Sequence, residues 1–348
     1  MKNLNLLIFI LVIFLKTGNV LSENKLFNVN NIEIINKSSN NIEILSNQAI
    51  KEGYIKLIKR ILLDENVDQM LNLQFSEIKE LVSYYQIKND EKEEIAEKKI
   101  FNISFDKDKL HNLFYQRGIA YSDITKNEIY LLPILKENDQ FNIYSKNYFY
   151  DNWNLNNDIE LVEFILPIEN IEILQKINLF KDDILTLDVE NIFPEYPNEN
   201  IAIILIEKSK LKESKIFFKT RIMGKKTNKN LTIKNKENYN EEKFSLEIIN
   251  NIKKQLVNLV KSQNLIDIRT PSFINTKFIL NRDNNLVELN KRLEKIDLIE
   301  NIYVQKFNNQ HVLIKIKYLG KINKIIKELN NQGINLKLIG DQWSLKLI

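Results

Sequence analysis

Apolar positions recur along this chain in two periods, near 3.6 and near 2, and the switches between them divide it into elements. Phe27 to Ile35 predicts a strand, and Ser39-Asn40 caps a helix with Ile50, Tyr54, Leu57, Ile58 and Ile61 on one face. Phe75, Ile78, Leu81 and Val82 continue at helical spacing, with Ser76 as the cap, before the chain extends through Tyr84 to Ile87. The mixed-charge run 88–99 reads as a solvated hairpin tip or helix end. Phe101, Ile103 and Phe105 then alternate with polar residues as in a half-buried strand. Asp106 starts a helix with the stripe Leu110, Leu113 and Phe114, and Gly118 ends it.

The pattern changes near residue 126. Ile129 to Ile134 and Ile201 to Ile206 are nearly continuous apolar runs, as expected of strands buried on both faces. Helical spacing over 168–180 and 185–193 lies between them, which predicts an α/β layer. Ile216 to Met223 and Leu231 to Lys234 form a hairpin, and a long helix from Asn240 presents Ile248, Ile249, Ile252, Leu256, Leu259 and Val260. Beyond residue 267 come a strand from Phe273 to Leu280 and a helix capped by Asp283-Asn284 with Leu286, Leu289, Leu293 and Ile296 inward. The strands Ile302 to Phe307 and Val312 to Tyr318 meet at Asn308-Asn309, with Leu313, Lys315 and Lys317 alternating against the apolar side of the second. A helix on Ile322, Ile325, Ile326 and Leu329 stops at Gly333, and a strand through Ile334, Leu336 and Leu338 turns at Gly340-Asp341 toward Trp343, Leu345 and Leu347. The order β-α-β-β-α-β plus a last strand is the split βαβ of a ferredoxin-like module, a fold that hosts many unrelated functions. The expected class is therefore mixed α+β and α/β: a signal peptide over 1–22, an N-terminal α+β unit over 23–125, a central α/β domain over 126–266 and the ferredoxin-like module over 267–348.

The signal peptide rests on the opening residues. Lys2 precedes an apolar run from Leu4 to Leu15, and Val20 and Ser22 supply small side chains for cleavage before Glu23. The run is about a dozen residues where a bilayer-crossing helix needs about twenty, which favours a cleaved leader over an anchor. No later segment is long and apolar enough to span, so the mature chain is expected to be soluble or peripheral, and periplasmic. The 348 residues suffice for a core without covalent staples, and the absence of cysteine removes disulfides, thiolate metal sites and thiol nucleophiles. Fifty basic residues against 46 acidic ones leave +4, which gives no argument for a nucleic-acid partner.

Candidate chemistry is sparse. His111, beside an apolar stripe, and His311, beside a turn, lack partners in sequence and read as surface residues. The seven glycines form no phosphate-cradling motif, and no cofactor is expected. Asp182-Asp183 with Asp188 and Glu190, or Asp158-Glu160-Glu163, supply carboxylates that a hydrolase or transferase of the envelope would pair, although such clusters usually mark helix starts or solvated faces. The basic stretch 208–236 surrounds Phe217-Phe218, and its Arg221, Lys225 and Lys226 are candidates for binding anionic lipid or polymer. Tyr148 and Trp153 belong to an aromatic cluster over 144–153 that is either domain core or the rim of a binding surface. Asn36, Asn102 and Asn230 begin N-x-S/T triplets, which matter only in a eukaryotic secretory route.

Several short segments recur in an order that carries a family resemblance: Leu81 to Tyr85, Phe101 to Phe105 followed by Leu110 to Gly118, Leu131-Leu132-Pro133, Asn147 to Trp153, Leu166-Pro167, and Tyr318-Leu319-Gly320 with Gly333 and Trp343. Together they resemble the bacterial family catalogued as domain of unknown function 2066, over nearly the whole chain beyond the leader. The resemblance implies an exported protein of a Gram-negative bacterium and carries no catalytic residues. Ile168-Glu169-Asn170 departs from the Gly-Asp that the resemblance places after the proline. The expectation is a non-enzymatic interaction or assembly factor of the cell envelope, with envelope proteins or polymers as partners.

Overall fold

The computed structural model describes residues 25–35, 41–88, 98–124, 127–137, 140–155, 161–180, 186, 188–208, 213–235, 239–281 and 285–348. The leader, the Ser39-Asn40 and Asp283-Asn284 caps, Asn36, Asp158, Glu160, Asp182, Asp183, Lys210 and Lys212 lie outside the described residues. The class is mixed α/β, as the patterning predicts. The chain divides into two compact units, one of residues 1–59, 68–121 and 266–348, the other of residues 60–67 and 122–265. Most of the expected N-terminal unit and the ferredoxin-like module thus fall together in one unit, while residues 60–67 belong to the other.

In the first unit, β1 (Asn28–Ile35), β2 (Val82–Lys88) and β3 (Lys98–Phe105) form an antiparallel sheet in the order β1-β3-β2. The helix α1 (Ile42–Ile61) buries Tyr54, Leu57 and Ile58. Gly53 lets it approach the sheet, because a Cβ there would stand 2.8 Å from Ile32 Cδ1 and 3.0 Å from Ile103 Cδ1. Two short helices follow, α2 (Asp64–Leu71) and α3 (Phe75–Glu80), where the spacing predicts one. Ser76 lies inside α3 and is not its cap: the Gln74 backbone N–H donates to Glu77 Oε2 at 2.9 Å one turn on. The helix α4 (Lys107–Arg117) begins as expected, with the Asp106 carboxylate accepting from the backbone N–H groups of Asp108 and Lys109. It ends at Gly118, whose φ of 66° is the left-handed conformation that closes a helix.

The second unit is built on a sheet of β4 (Asn127–Glu137), β5 (Gln140–Asn142), β6 (Val162–Ile165), β7 (Ile201–Lys208), β8 (Glu213–Ile222) and β9 (Lys225–Lys234), in the order β9-β8-β7-β4. The pair β4 and β7 is parallel, and the far edge of β4 carries β6, parallel, and β5, antiparallel. The alternate residues of β4 and β7 point to opposite faces, which explains their unbroken apolar runs. Ile129, Leu131, Ala202, Ile204 and Ile206 join α5 (Tyr148–Asn152) and α8 (Glu241–Gln263), while Leu132, Ile134, Ile201, Ile203 and Leu205 join α6 (Ile171–Leu179) and α7 (Val189–Ile192). The long helix is capped at Asn240, as predicted, and buries Ile248, Ile252, Leu256 and Val260, each worth about 1.5–3 kcal/mol of transfer free energy. The hairpin β8–β9 turns through Met223 and Gly224, both with positive φ (51° and 76°), the two-residue geometry that suits the twist of paired strands.

The remainder of the first unit follows the β-α-β-β-α-β order: β10 (Ser272–Ile279), α9 (Leu286–Leu293), β11 (Ile299–Phe307), β12 (His311–Tyr318), α10 (Ile322–Asn331) and β13 (Ile334–Ile339), then β14 (Gln342–Leu347). The α9 cap is Asn285, whose side chain accepts from the Val287 N–H. The sheet order is β11-β12-β10-β14-β13, with β12 antiparallel between β10 and β11, which is the split βαβ. The added strand β14 pairs parallel to β10 and displaces β13 outward, so the β12-to-β13 crossover spans two strands. One face of this sheet buries Ile274, Phe278, Ile314, Ile316 and Leu345, and the helices bury Leu289, Leu293, Ile325 and Leu329.

Candidate functional site

The basic hairpin meets Asp188 and Glu190, the described members of one acidic cluster, in the second unit. The Asp188 side chain caps α7 by accepting from the Glu190 N–H, which puts both carboxylates at the start of that helix. Lys226 Nζ stands 2.9 Å from Asp188 Oδ2 and 3.3 Å from Glu190 Oε1, and Arg221 Nη1 is 3.3 Å from the same Glu190 oxygen. The Lys226 ammonium holds the Asp188 carboxyl below the usual carboxylate range, the opposite of what a general acid needs. Arg221 is 7% exposed, and its Nη2 donates to the carbonyls of Tyr196 (2.6 Å) and Glu199 (3.2 Å). That guanidinium is therefore a structural clamp rather than a surface anion receptor, which corrects its expected role. Lys225 and Lys229 remain exposed on β9, and Lys229 donates to Gln255.

The clamp supports a cavity wall. Tyr196 stacks on Tyr130 with ring centroids 4.2 Å apart and, with Pro167, Ile173, Lys176 and Phe193, lines a cavity of about 240 Å3 between α6 and the chain after α7. That volume is below the usual range for drug-sized ligands. Replacing Arg221 with Met is expected to destabilise this unit by about 2 kcal/mol, since two carbonyls lose their charged donor. Lys226→Met, on exposed and salt-screened partners, should cost distinctly less. Urea melts of both variants at low and high salt check the ranking, and an equal loss would deny the clamp.

The aromatic cluster divides. Trp153 is fully buried, edge-on to Phe164 at 5.8 Å, with the buried Lys253 ammonium 6.0 Å from both ring centres, so it is core and not rim. Tyr148 packs half-buried against the same core. Asn147, wholly buried, holds the segment together: its Nδ2 donates to the carbonyls of Pro133, Asn142 and Ile143 at 2.8–3.0 Å, and its Oδ1 accepts from the Phe149 and Tyr150 N–H groups.

In the first unit His111 is buried, which corrects its surface reading. Its Nε2 is 3.0 Å from the Tyr121 hydroxyl and its ring meets Phe27 edge-on. Glu300 lies 3.8 Å from Nδ1, yet burial dominates and pushes the imidazole down to about 4, so the ring is neutral near pH 7 and the contact is not an ion pair. Among the described residues no cluster of three or more His, Asp or Glu side chains gathers in metal-binding geometry.

Among the described residues the C-terminal sheet leaves its second face partly to fully exposed. Register places Lys277 beside Leu313 on one side and Ser344 on the other, with Lys337 beyond Ser344, so these side chains share the face opposite the buried one. Lys315, Lys317 and Lys346 alternate onto it as well. Phe273, Ile279 and Ile339 lie between them, each half or more exposed, and the Lys315 ammonium sits 4.4 Å from the Phe273 ring centre. Glu300 approaches Lys317 at 3.2 Å. The alternation of Leu313, Lys315 and Lys317 carried the signal for this face in sequence, but one strand could not show that three others repeat it. No family model, curated protein or solved structure matches the chain.

Proposed function

We propose that this chain is an exported envelope protein that works through surface contacts rather than catalysis. The observation that carries the reading is how the structure disposes of its charge. Asp188, Glu190, Arg221 and Lys226, the groups best suited to chemistry by sequence, hold one another and the backbone. Among the described residues one sheet face of the C-terminal module meanwhile stays partly to fully exposed, with lysines and apolar side chains interleaved. Export is supported by the basic, apolar, small-residue order of positions 1–22. Among the described residues no helix is long and apolar enough to cross a membrane. The resemblance to the exported family catalogued as domain of unknown function 2066 points the same way and belongs to this proposal. Cell fractionation with mass analysis of the native N-terminus tests it. The expected result is a chain beginning at Glu23 in the envelope fraction, and a cytosolic chain retaining Met1 would overturn it.

A further inference from the structure

We propose that the open face of the C-terminal sheet docks on the anionic headgroup plane of a phospholipid bilayer. This rests on the reading of the chain as a contact protein and names the partner. Five lysines, at 277, 315, 317, 337 and 346, project from one face, and among the described residues the acid that approaches them, Glu300, offsets Lys317 alone. Such a charge suits a surface of phosphate groups.

The shape and the apolar residues select a bilayer over a soluble polyanion. Five strands side by side span about 20 Å or more at ~4.8 Å each, a broad face rather than the groove that tracks a single polymer strand. Phe273 and Ile279 are each 50% exposed and Ile339 67%. A soluble polyanion gives such side chains nothing apolar to enter, whereas the boundary between headgroups and acyl chains does. The lysine stems reach past them, so ammonium groups meet phosphates as the shorter apolar side chains settle between. Lys315, now over the Phe273 ring, is free to swing to a phosphate and uncover that ring.

The test uses the full chain and vesicles of equimolar phosphatidylglycerol and phosphatidylcholine, against vesicles of phosphatidylcholine alone. Two triple variants are compared with the wild type: Lys277→Glu with Lys315→Glu and Lys346→Glu on the sheet, and Lys225→Glu with Lys229→Glu and Lys234→Glu on the β8–β9 hairpin. Residues 1–22 are common to all three chains, so their contribution cancels. We expect the wild type and the hairpin variant to co-sediment with the anionic vesicles and to weaken as salt rises from about 0.1 M to 1 M. The sheet variant should partition about 100-fold less, at roughly fivefold per lysine. Sheet-variant binding equal to wild type, binding that ignores lipid charge and salt, or tighter binding to heparin than to vesicles would each overturn the proposal. Should the sheet variant fail to fold, vesicle protection of Lys277, Lys315 and Lys346 from acetylation in the wild type decides instead, with protection no greater than at Lys225 and Lys229 counting against it. A cytosolic chain that still docks through this face would refute export and leave docking standing; an exported chain that ignores lipid would do the reverse.

Discussion

Replacing Asn147 with Asp is expected to destabilise the second unit by about 4 kcal/mol, although Asp is as good a helix cap as Asn. The two side chains differ in one atom. Asn147 Oδ1 caps α5 by accepting from Phe149 and Tyr150, and Asp keeps that oxygen. The Nδ2 group faces three carbonyls, from Pro133 in the middle of β4, from Asn142 at the end of β5 and from Ile143 just beyond it. In Asp an anionic oxygen meets all three with no proton to share, at a site with no solvent exposure. Each stranded carbonyl costs about 1–3 kcal/mol. Asn147→Ser, which also caps but donates one proton, should fall between wild type and Asp. The Asp variant should regain stability on acidification, because its buried carboxyl would have a folded pKa above the unfolded value and its protonated form restores one donor. Trp153 lies in this unit and is the sole indole in a Trp343→Phe background, so urea melts followed by fluorescence report on it directly. Equal stability of the Asn and Asp chains would show that capping alone accounts for Asn147.

Local pattern carried most of the elements and few of the long-range partners. The runs 129–134 and 201–206 were legible as two-faced strands because burial on both sides leaves no polar alternation, and the cores on either face bear this out. Asp106, Gly118 and Asn240 were legible because a cap acts on N–H or C=O groups within a turn of itself. The short edge elements α5, β5 and β6 were not, since three to five residues hold less than two periods of either pattern. Arg221 and His111 show the deeper limit. A charged or titratable residue in sequence looks available, and only the fold reveals that Glu190, 31 positions from Arg221, and the carbonyls of Tyr196 and Glu199 already occupy it. The place of β14 beside β10 was likewise hidden, because the helix order fits β13 in that position equally well.

His111 should make the first unit lose about 3 kcal/mol of stability as pH falls from 6.5 to 4. Burial beside Phe27 and Tyr121, reinforced by Lys107, lowers its folded pKa to about 4 from 6.5. Between those two values the unfolded chain binds a proton that the folded chain refuses, so stability declines with acidification and the loss is complete once pH passes below the folded value. A gap of about 2.5 pH units at 1.36 kcal/mol each gives the size. Asp297, in the same unit, works with the opposite sign: burial raises its carboxyl, so it favours the folded state increasingly as pH drops. The comparison that isolates the histidine is therefore with His111→Gln, which can still bond the Tyr121 hydroxyl but does not titrate. Urea midpoints measured from pH 7 to 4 in a Trp153→Phe background, with Trp343 reporting on the first unit, should fall more steeply for the wild type. Parallel curves would mean that folding leaves the proton affinity of His111 unchanged, and a wild type that gains stability over the glutamine variant as pH falls would mean that its contact with Glu300 is an ion pair after all.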